Sequence, residues 1–543
     1  MIAAASRSWR PYAILLLLCL GLYLPGLASL PVTDRDEARF AQSSRQMIET
    51  GDWVRIRFRD EARNKKPAGI YWLQALAVEA VSDASSDAIW PYRLPSFLAA
   101  MLASCLTFAL GRNLVGAPAA LLGAALLTSS LGLAVEAHLA KTDAVLLACV
   151  VAAQLAFGET YRRARAGQTV SWPWAALFWA ALGAGALIKG PVLPLLAALT
   201  GFALAAADRE ARWLRNLRPL WGVPLFLLIV APWLLAIISA TGGQFVQESL
   251  GHDFFAKIVG VQEGHGAPPG AYLVALALTF WPGSLFLDSA LSRAWAERDR
   301  PSQRFLLAWI VPFWAAIELV PTKLPHYALP IYPALALLAG HALFNAMTRP
   351  LWMRAATALC WAAATLALAG ALALGPAFLG AGPSLPGIAA AAALVLGGGW
   401  ILVRSWRDPA PGRAAGAALL ALLIYAPGFH YVAPALDRLW ISRDAAVLAR
   451  QAAAPDRPVA LVGYNEPSLI FLLGTATRIE SADEAARYLA ATPGAGALVE
   501  SREEPGFREA LARLGVNAAS RGAVAGINYS NGKHTRLTLY AAP

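Results

Sequence analysis

The chain has 543 residues, 58% of them hydrophobic and only 15% charged, with a formal net charge of +11 and a mean hydropathy of +0.51. A soluble protein of this length carries about 25% charged residues, so a soluble multidomain protein is excluded. The basic residues are dispersed among short loops between apolar runs, a pattern that orients membrane proteins and does not point to nucleic acid.

Apolar stretches close to the roughly 20 residues that cross a bilayer recur from end to end. Thirteen spans are predicted, at about 11–30, 91–111, 115–135, 143–161, 173–188, 191–207, 219–240, 270–290, 304–320, 328–347, 353–377, 385–405 and 414–433. The first is read as a retained helix and not a cleaved signal peptide, because its apolar part is long for such a segment. Cys19, Cys105, Cys149 and Cys360 all lie within apolar runs, which indicates neither a disulfide framework nor a CxxC metal site.

A cytoplasmic N-terminus puts the Arg-rich loops 161–167, 208–218, 292–304, 348–354 and 404–413 inside, and an odd number of spans puts the C-terminus outside. The lysines show a second asymmetry. Lys65, Lys66, Lys141, Lys189, Lys257, Lys323 and Lys533 all fall on or beside the external side, whereas the cytoplasmic loops use arginine. Such lysines can converge on an anionic ligand; a composition that prefers arginine is the alternative.

Residues 31–90 form an external segment with structure of its own. Asp34 followed by Glu37 reads as a helix start and Gly51 as its stop. In "WVRIRFRD" (53–60), Val54, Ile56 and Phe58 alternate with Arg55, Arg57 and Arg59, as an extended strap on a half-buried surface would. Pro67 then opens a second short amphipathic helix that can lie in the membrane interface. A further external loop, 241–269, carries helical spacing followed by Gly and Pro.

After about 435 the pattern changes. "RPVALVGY", "GALVES" and "HTRLTLY" read as strands; "EPSLIFLLG", "EAARYLA" and "PGFREALARLG" read as helices, with a capping box at Ser481 and Glu484 and a hairpin turn at Asn531–Gly532. The predicted organisation is a membrane domain over 1–435 and a small α/β domain over 436–543. No P-loop or GxGxxG motif accompanies it.

"DRDEARFAQ" places Asp34, Asp36, Glu37 and Arg39 at an outer membrane face, with Lys65 and Lys66 close behind in sequence. This set suits chemistry on a phosphate-linked lipid. When the sugar–phosphate bond of a polyprenyl-phosphate sugar breaks, negative charge grows on the phosphate, and preset cations are worth more in the transition state than before it. A carboxylate can accept the proton of an acceptor hydroxyl. Helix capping accounts for one of the three acids, and an i,i+3 pair accounts for Arg39 with Asp36.

"DRDEARFAQ", "NKKPAGIYWLQ", "AKTDAVLL", "IKGPV", "GHGAPPGAY" and "PTKLPHYALPIYPALALLAG" occur in an order that resembles the bacterial GT-C glycosyltransferases of the ArnT and protein O-mannosyltransferase-like family, over about residues 10–435. The resemblance implies a polytopic α-helical GT-C protein of about 13 transmembrane helices with periplasmic juxtamembrane helices, plus a small C-terminal α/β periplasmic domain. It implies an inner-membrane enzyme that moves an aminoarabinose-like sugar, with inversion, from undecaprenyl phosphate to lipid A or another periplasmic acceptor. By motif, Asp36 takes the place of the family's essential acid, Lys66 of its phosphate-binding lysine and Asp143 of the second acid of the cavity. Arg39, Tyr327 and His265 match further substrate-binding positions; Glu37 and Lys323 join them as candidates.

One departure concerns metal. Family members have a glutamate where this chain has Lys65, so His265 loses its carboxylate partner; no cofactor is expected. Arg63 likewise stands where a tyrosine is usual, and both changes raise the positive charge. Glu136, His138, Lys189 and His326 stand between cavity-lining and structural roles, and His252 reads as interfacial. The alternatives are a transporter or flippase of a lipid-linked saccharide, and an enzyme of the same fold acting on protein or another glycan. A transporter predicts ionisable residues deep within spans.

Overall fold

A computed structural model describes residues 8–33, 35–249, 251, 266–345, 347–454 and 457–542. Helices α1 (Arg10–Tyr23) and α2 (Asp36–Thr50) come first. A two-residue hairpin, β1 (Arg57–Phe58) with β2 (Glu61–Ala62), leads to α3 (Gly69–Val81). The body follows as α4 (Trp90–Leu114), α5 (Ala117–Thr128), α6 (Leu131–Ala137), α7 (Asp143–Arg165), α8 (Trp172–Lys189), α9 (Val192–Asp208) and α10 (Pro219–Thr241). It continues with α11 (Ala271–Thr279), α12 (Leu287–Ala296), α13 (Pro301–Leu319), α14 (Tyr332–Phe344), α15 (Leu351–Leu379), α16 (Leu385–Arg407) and α17 (Pro411–Pro427).

Proline marks many of these starts. Pro91, Pro118, Pro173, Pro219, Pro301 and Pro411 each stand in a first turn, where no backbone donor is lost and φ is already helical.

Every predicted span falls on helix, yet they are not thirteen equal rods. Among the described residues, seven helices are long and apolar enough to cross a membrane, and up to nine when each bent pair counts as one span. The pair α5–α6 bends by 60°. Ser129 and Ser130 at the break return their hydroxyls to carbonyls of the preceding turn, so the freed backbone is partly satisfied. The predicted straight span at 270–290 is instead two pieces at 117°.

Burial sorts the spans. The apolar window of α7 is 89% buried and that of α10 only 11%, so α7 is the central post and α10 an outer wall. Close packing rests on small residues where α5 meets α14: a Cβ on Gly340 would collide with the Ala119 carbonyl, and one on Gly123 would stand 2.7 Å from the Ala336 carbonyl oxygen.

The strap takes a partly extended form. Ile56 is buried and Arg55 and Arg57 are exposed, as the alternation predicts, but only residues 57–58 pair as a strand. The turn is held by Gln46, whose amide accepts from the Arg59 N–H at 2.7 Å and donates to the Arg59 carbonyl at 2.9 Å.

The C-terminal part begins with α18 (Ile441–Ala452). It then builds β3 (Ala460–Val462), α19 (Pro467–Leu473), β4 (Arg478–Ile479), α20 (Ala482–Ala491), β5 (Gly496–Glu500), α21 (Glu504–Arg513), β6 (Ala519–Asn528) and β7 (Lys533–Ala541). The sheet order is β4-β3-β5-β7-β6, with β3 parallel to β4 and β5, and β7 antiparallel to β5 and β6. The capping box at Ser481 and Glu484 forms as expected. This unit packs on α2: Arg45 donates to the Phe471 and Ser86 carbonyls, each at 2.6 Å, and lies 4.2 Å over the Phe471 ring. Gln42 donates to Thr475, which donates to Glu49. The small domain therefore grips the helix whose first residue is Asp36.

Candidate active site

A cavity of about 470 Å³ opens among α8, α9, α10 and α13. Leu195, Phe226, Val230, Leu234, Phe313 and Ile317 make its walls apolar, while Lys65, Lys66, Asp143, Lys189, His326 and Tyr327 gather at one end. The shape is a greasy slot with a charged head.

The head is built from several elements. The first residue of central α7 is Asp143, and the last residue of α8 is Lys189; their side chains meet at 2.5 Å. Lys189 also lies 5.3 Å from the centre of the Tyr327 ring. Lys141, in the link before α7, sits 3.2 Å from Glu136 and 4.0 Å from Asp143. His326 stands between the two acids, its Nδ1 3.9 Å from Glu136 and its Nε2 3.9 Å from Asp143. Burial alone would discharge the Lys141 ammonium, but Glu136, Asp143 and Asp36 outweigh it and hold its pKa above the ordinary lysine value.

Asp36 belongs to the same assembly. It is exposed by surface area, yet it lies deep enough that desolvation pushes its pKa up; Lys141, Arg63, Arg39 and His326 overcome that push and leave it below the ordinary aspartate value. The surrounding cations thus favour the ionised carboxylate. Lys141 and His326 each feel both Asp36 and Asp143, which ties the start of α2 to the cavity head.

Two candidate substrate-binding residues are occupied elsewhere. Glu37 is buried and saturated: it accepts from Arg93 Nε at 2.8 Å and Nη2 at 3.0 Å, from the Thr33 N–H and hydroxyl, and from the Ala140 N–H. Burial raises its pKa, and the Arg93 charge and these donors bring it below the ordinary value. It is a staple joining α2, α4 and the link before α7, and with five donors on its two oxygens and no place in the cavity lining it is structural rather than substrate-binding. Lys323 donates to the Glu318 and Val320 carbonyls, each at 2.7 Å, and so closes the C-terminus of α13.

The remaining positions sort cleanly. Arg39 is half-buried near Asp36. His138 faces the Ala134 and Pro25 carbonyls at 2.7 and 2.9 Å and is structural. His265, and with it the metal question, lies outside the described residues, as do Asp34, His252, Lys257 and most of the 241–269 loop. Among the described residues, no group of three or more His, Cys, Asp or Glu forms a metal-binding cluster. Sequence reasoning under-weighted Lys141, Lys189, Glu136 and His326. The signal was there: all but Glu136 and His326 were among the externally placed lysines.

Residues 65–235 match the family model described as dolichyl-phosphate-mannose-protein mannosyltransferase. Undecaprenyl phosphate-alpha-4-amino-4-deoxy-L-arabinose arabinosyl transferase of Pseudomonas paraeruginosa is 34% identical over 335 residues, 61% of this chain and 59% of that protein. The protein of the same name from Pseudomonas aeruginosa PAO1 is 34% identical over 342 residues, 62% and 60% of the two. The chain thus spans about three fifths of the length of the curated relatives it matches. Among solved structures, ArnT from Cupriavidus metallidurans bound to undecaprenyl phosphate superimposes with a TM-score of 0.73 at 19% identity, covering 98% of this chain and 99% of that one. An archaeal oligosaccharyltransferase from Archaeoglobus fulgidus reaches 0.51 at 12% identity, covering 91% and 70%. The fold is that of the solved ArnT structures.

Proposed function

We propose that this protein transfers a sugar from undecaprenyl phosphate to an acceptor on the periplasmic side of the bacterial inner membrane, with an aminoarabinose-like sugar and lipid A as the favoured pair. The observation that carries the reading is the apolar slot headed by Lys65, Lys66 and Lys189. A long isoprenoid tail buries in such walls, and its phosphate comes to rest on the ammonium groups. The relatives' names support the donor and the sugar; lipid A is the acceptor that the motif resemblance implies.

In the reaction, the bond between the anomeric carbon and the phosphate oxygen breaks and its electron pair stays on that oxygen. Polyprenyl phosphate leaves with one more negative charge. Lys66 and Lys65 stabilise that charge as it forms, which lowers the barrier and not merely the binding energy. The acceptor oxygen attacks from the opposite face. Where the acceptor is a hydroxyl, Asp36 takes its proton; where it is a phosphate, already an anion, Asp36 orients sugar or acceptor. Arg39 and Arg63 keep Asp36 ionised. Asp143, held by Lys189 and Lys141, supplies acceptor oxygens for sugar hydroxyls. Lys65 and Lys66 supply cationic charge at the leaving phosphate.

The test is release of polyprenyl phosphate by purified protein in lipid, given a polyprenyl-phosphate sugar and lipid A. Wild type should release it, and Asp36→Asn should fold normally and release none. Equal turnover by that variant, or wild-type protein that moves intact donor across a bilayer without cleaving it, would overturn the proposal.

A further inference from the structure

A second hollow, of about 720 Å³, lies where α15, α16 and α17 meet, lined by Leu402, Val403, Arg404, Arg407, Asp408 and Arg413 among others. It lies at the far end from the cavity. From Pro411, α17 rises for 17 residues, about 25 Å, before the chain enters the domain that packs on α2.

Its arginines are unlike their neighbours. Arg162 and Arg163 are held by Glu159, Arg304 by Asp208 and Arg349 by Asp288, all of them buried acids. Those charges are neutralised within the fold. In the hollow, Asp408 is exposed and engages Arg413 at 3.1 Å. Arg407 makes no ion pair or hydrogen bond among the described residues, and Arg404 only lies 6.0 Å from the Trp400 ring. The rim then continues into open apolar surface, with Val403 71% and Leu396 74% exposed on α16. Cationic head sites against an apolar flank match one kind of ligand.

We propose that this hollow binds an anionic glycerophospholipid of the leaflet opposite the cavity, its phosphate on Arg404, Arg407 and Arg413 and its acyl chains along Val403 and Leu396. Basic pockets between helices at this boundary are suited to such headgroups, and guanidinium binds phosphate through paired donors. The lipid is the source, not a free anion, because the arginines of the floor adjoin the exposed apolar side chains of Val403 and Leu396 on the same helix. The inference is independent of the transfer reaction, and Arg404 and Arg407 lie outside the site proposed for it.

The test is retention of added phosphatidylglycerol by the full chain after delipidation, measured by native mass spectrometry against phosphatidylcholine and against inorganic phosphate alone. Wild type should keep phosphatidylglycerol selectively. An Arg404→Gln/Arg407→Gln double variant should bind it about thirtyfold more weakly, from the usual contribution of each arginine near a membrane surface. Arg298→Gln, a change to an exposed arginine elsewhere, should retain it as wild type does. Equal retention of the two lipids by wild type, equal binding of phosphate alone, or equal loss in Arg298→Gln would each overturn the proposal. The wild-type comparison stands even if the double variant does not fold.

Discussion

Arg93 is the residue whose loss should most damage the site without touching it. It is buried and donates to both Glu37 oxygens and to the carbonyls of Leu27, Leu30 and Pro31. Arg93→Met leaves the Glu37 carboxylate buried with only the Thr33 and Ala140 donors, and strands three carbonyls. Breaking a buried pair from one side costs about 3–5 kcal/mol. Pairing it with Glu37→Leu removes the orphaned charge, so the double variant should be less destabilised than the sum of the singles by about 1–3 kcal/mol. It should remain below wild type, because each stranded carbonyl or N–H still costs about 1–3 kcal/mol unless water reaches it. The deficit depends on pH. In the wild type Glu37 titrates below its ordinary 4.5, so its stabilisation is present above that pH and fades as pH falls through the depressed value. Without Arg93, burial raises the Glu37 pKa, so acid relieves the variant first and the gap narrows from neutral pH downward. Tryptophan-fluorescence unfolding in detergent, for the four proteins at pH 7 and pH 5, measures this. A gap of under 1 kcal/mol at pH 7, or one that widens on acidification, would refute the staple.

Lys66→Ala should lower kcat as well as raise the apparent KM for donor, because the lost cation serves the leaving phosphate more than the bound one; an unchanged kcat/KM would remove it from the phosphate site. Lys141→Met strips the largest cationic influence from Asp36, so the acid limb of the transfer profile should move up from its position below 3.8; superimposable pH profiles would contradict the coupling. Lys323→Met should lower the unfolding midpoint through two uncapped carbonyls, at about 1–3 kcal/mol, and leave donor KM unaltered; a selective KM change would return Lys323 to substrate. Gly340→Ala should impair folding, by its collision with the Ala119 carbonyl; wild-type yield and midpoint would show that α5 and α14 pack less closely.

What could be read from the sequence, and what could not, divides along a physical line. Spans and starts are local: apolar runs, first-turn prolines and the Ser481–Glu484 box depend on residues a few positions apart, and each has its counterpart in the structure. β6 was missed because "ASRGAVAGIN" offers small and polar residues where an interior strand has branched ones; as an edge strand it needs only one partner, β7. The chemistry depended on distance in sequence. Nothing near Glu37 reveals that Arg93 will occupy it, so an acid beside Asp36 looked like part of the site. Lys189 and His326 reach Asp143 from two distant segments, and no local pattern announces that meeting; only Lys141, two residues away, is its neighbour in sequence. The lysine asymmetry did register it, because it is a property of the whole chain. Arginines on one end can close onto buried acids such as Asp208 and Asp288 through rigid paired donors, whereas a chamber that must hold a phosphate and then release it is better served by the single-point ammonium of lysine. The choice between two cations of equal charge therefore carried information about the site that no single motif contained.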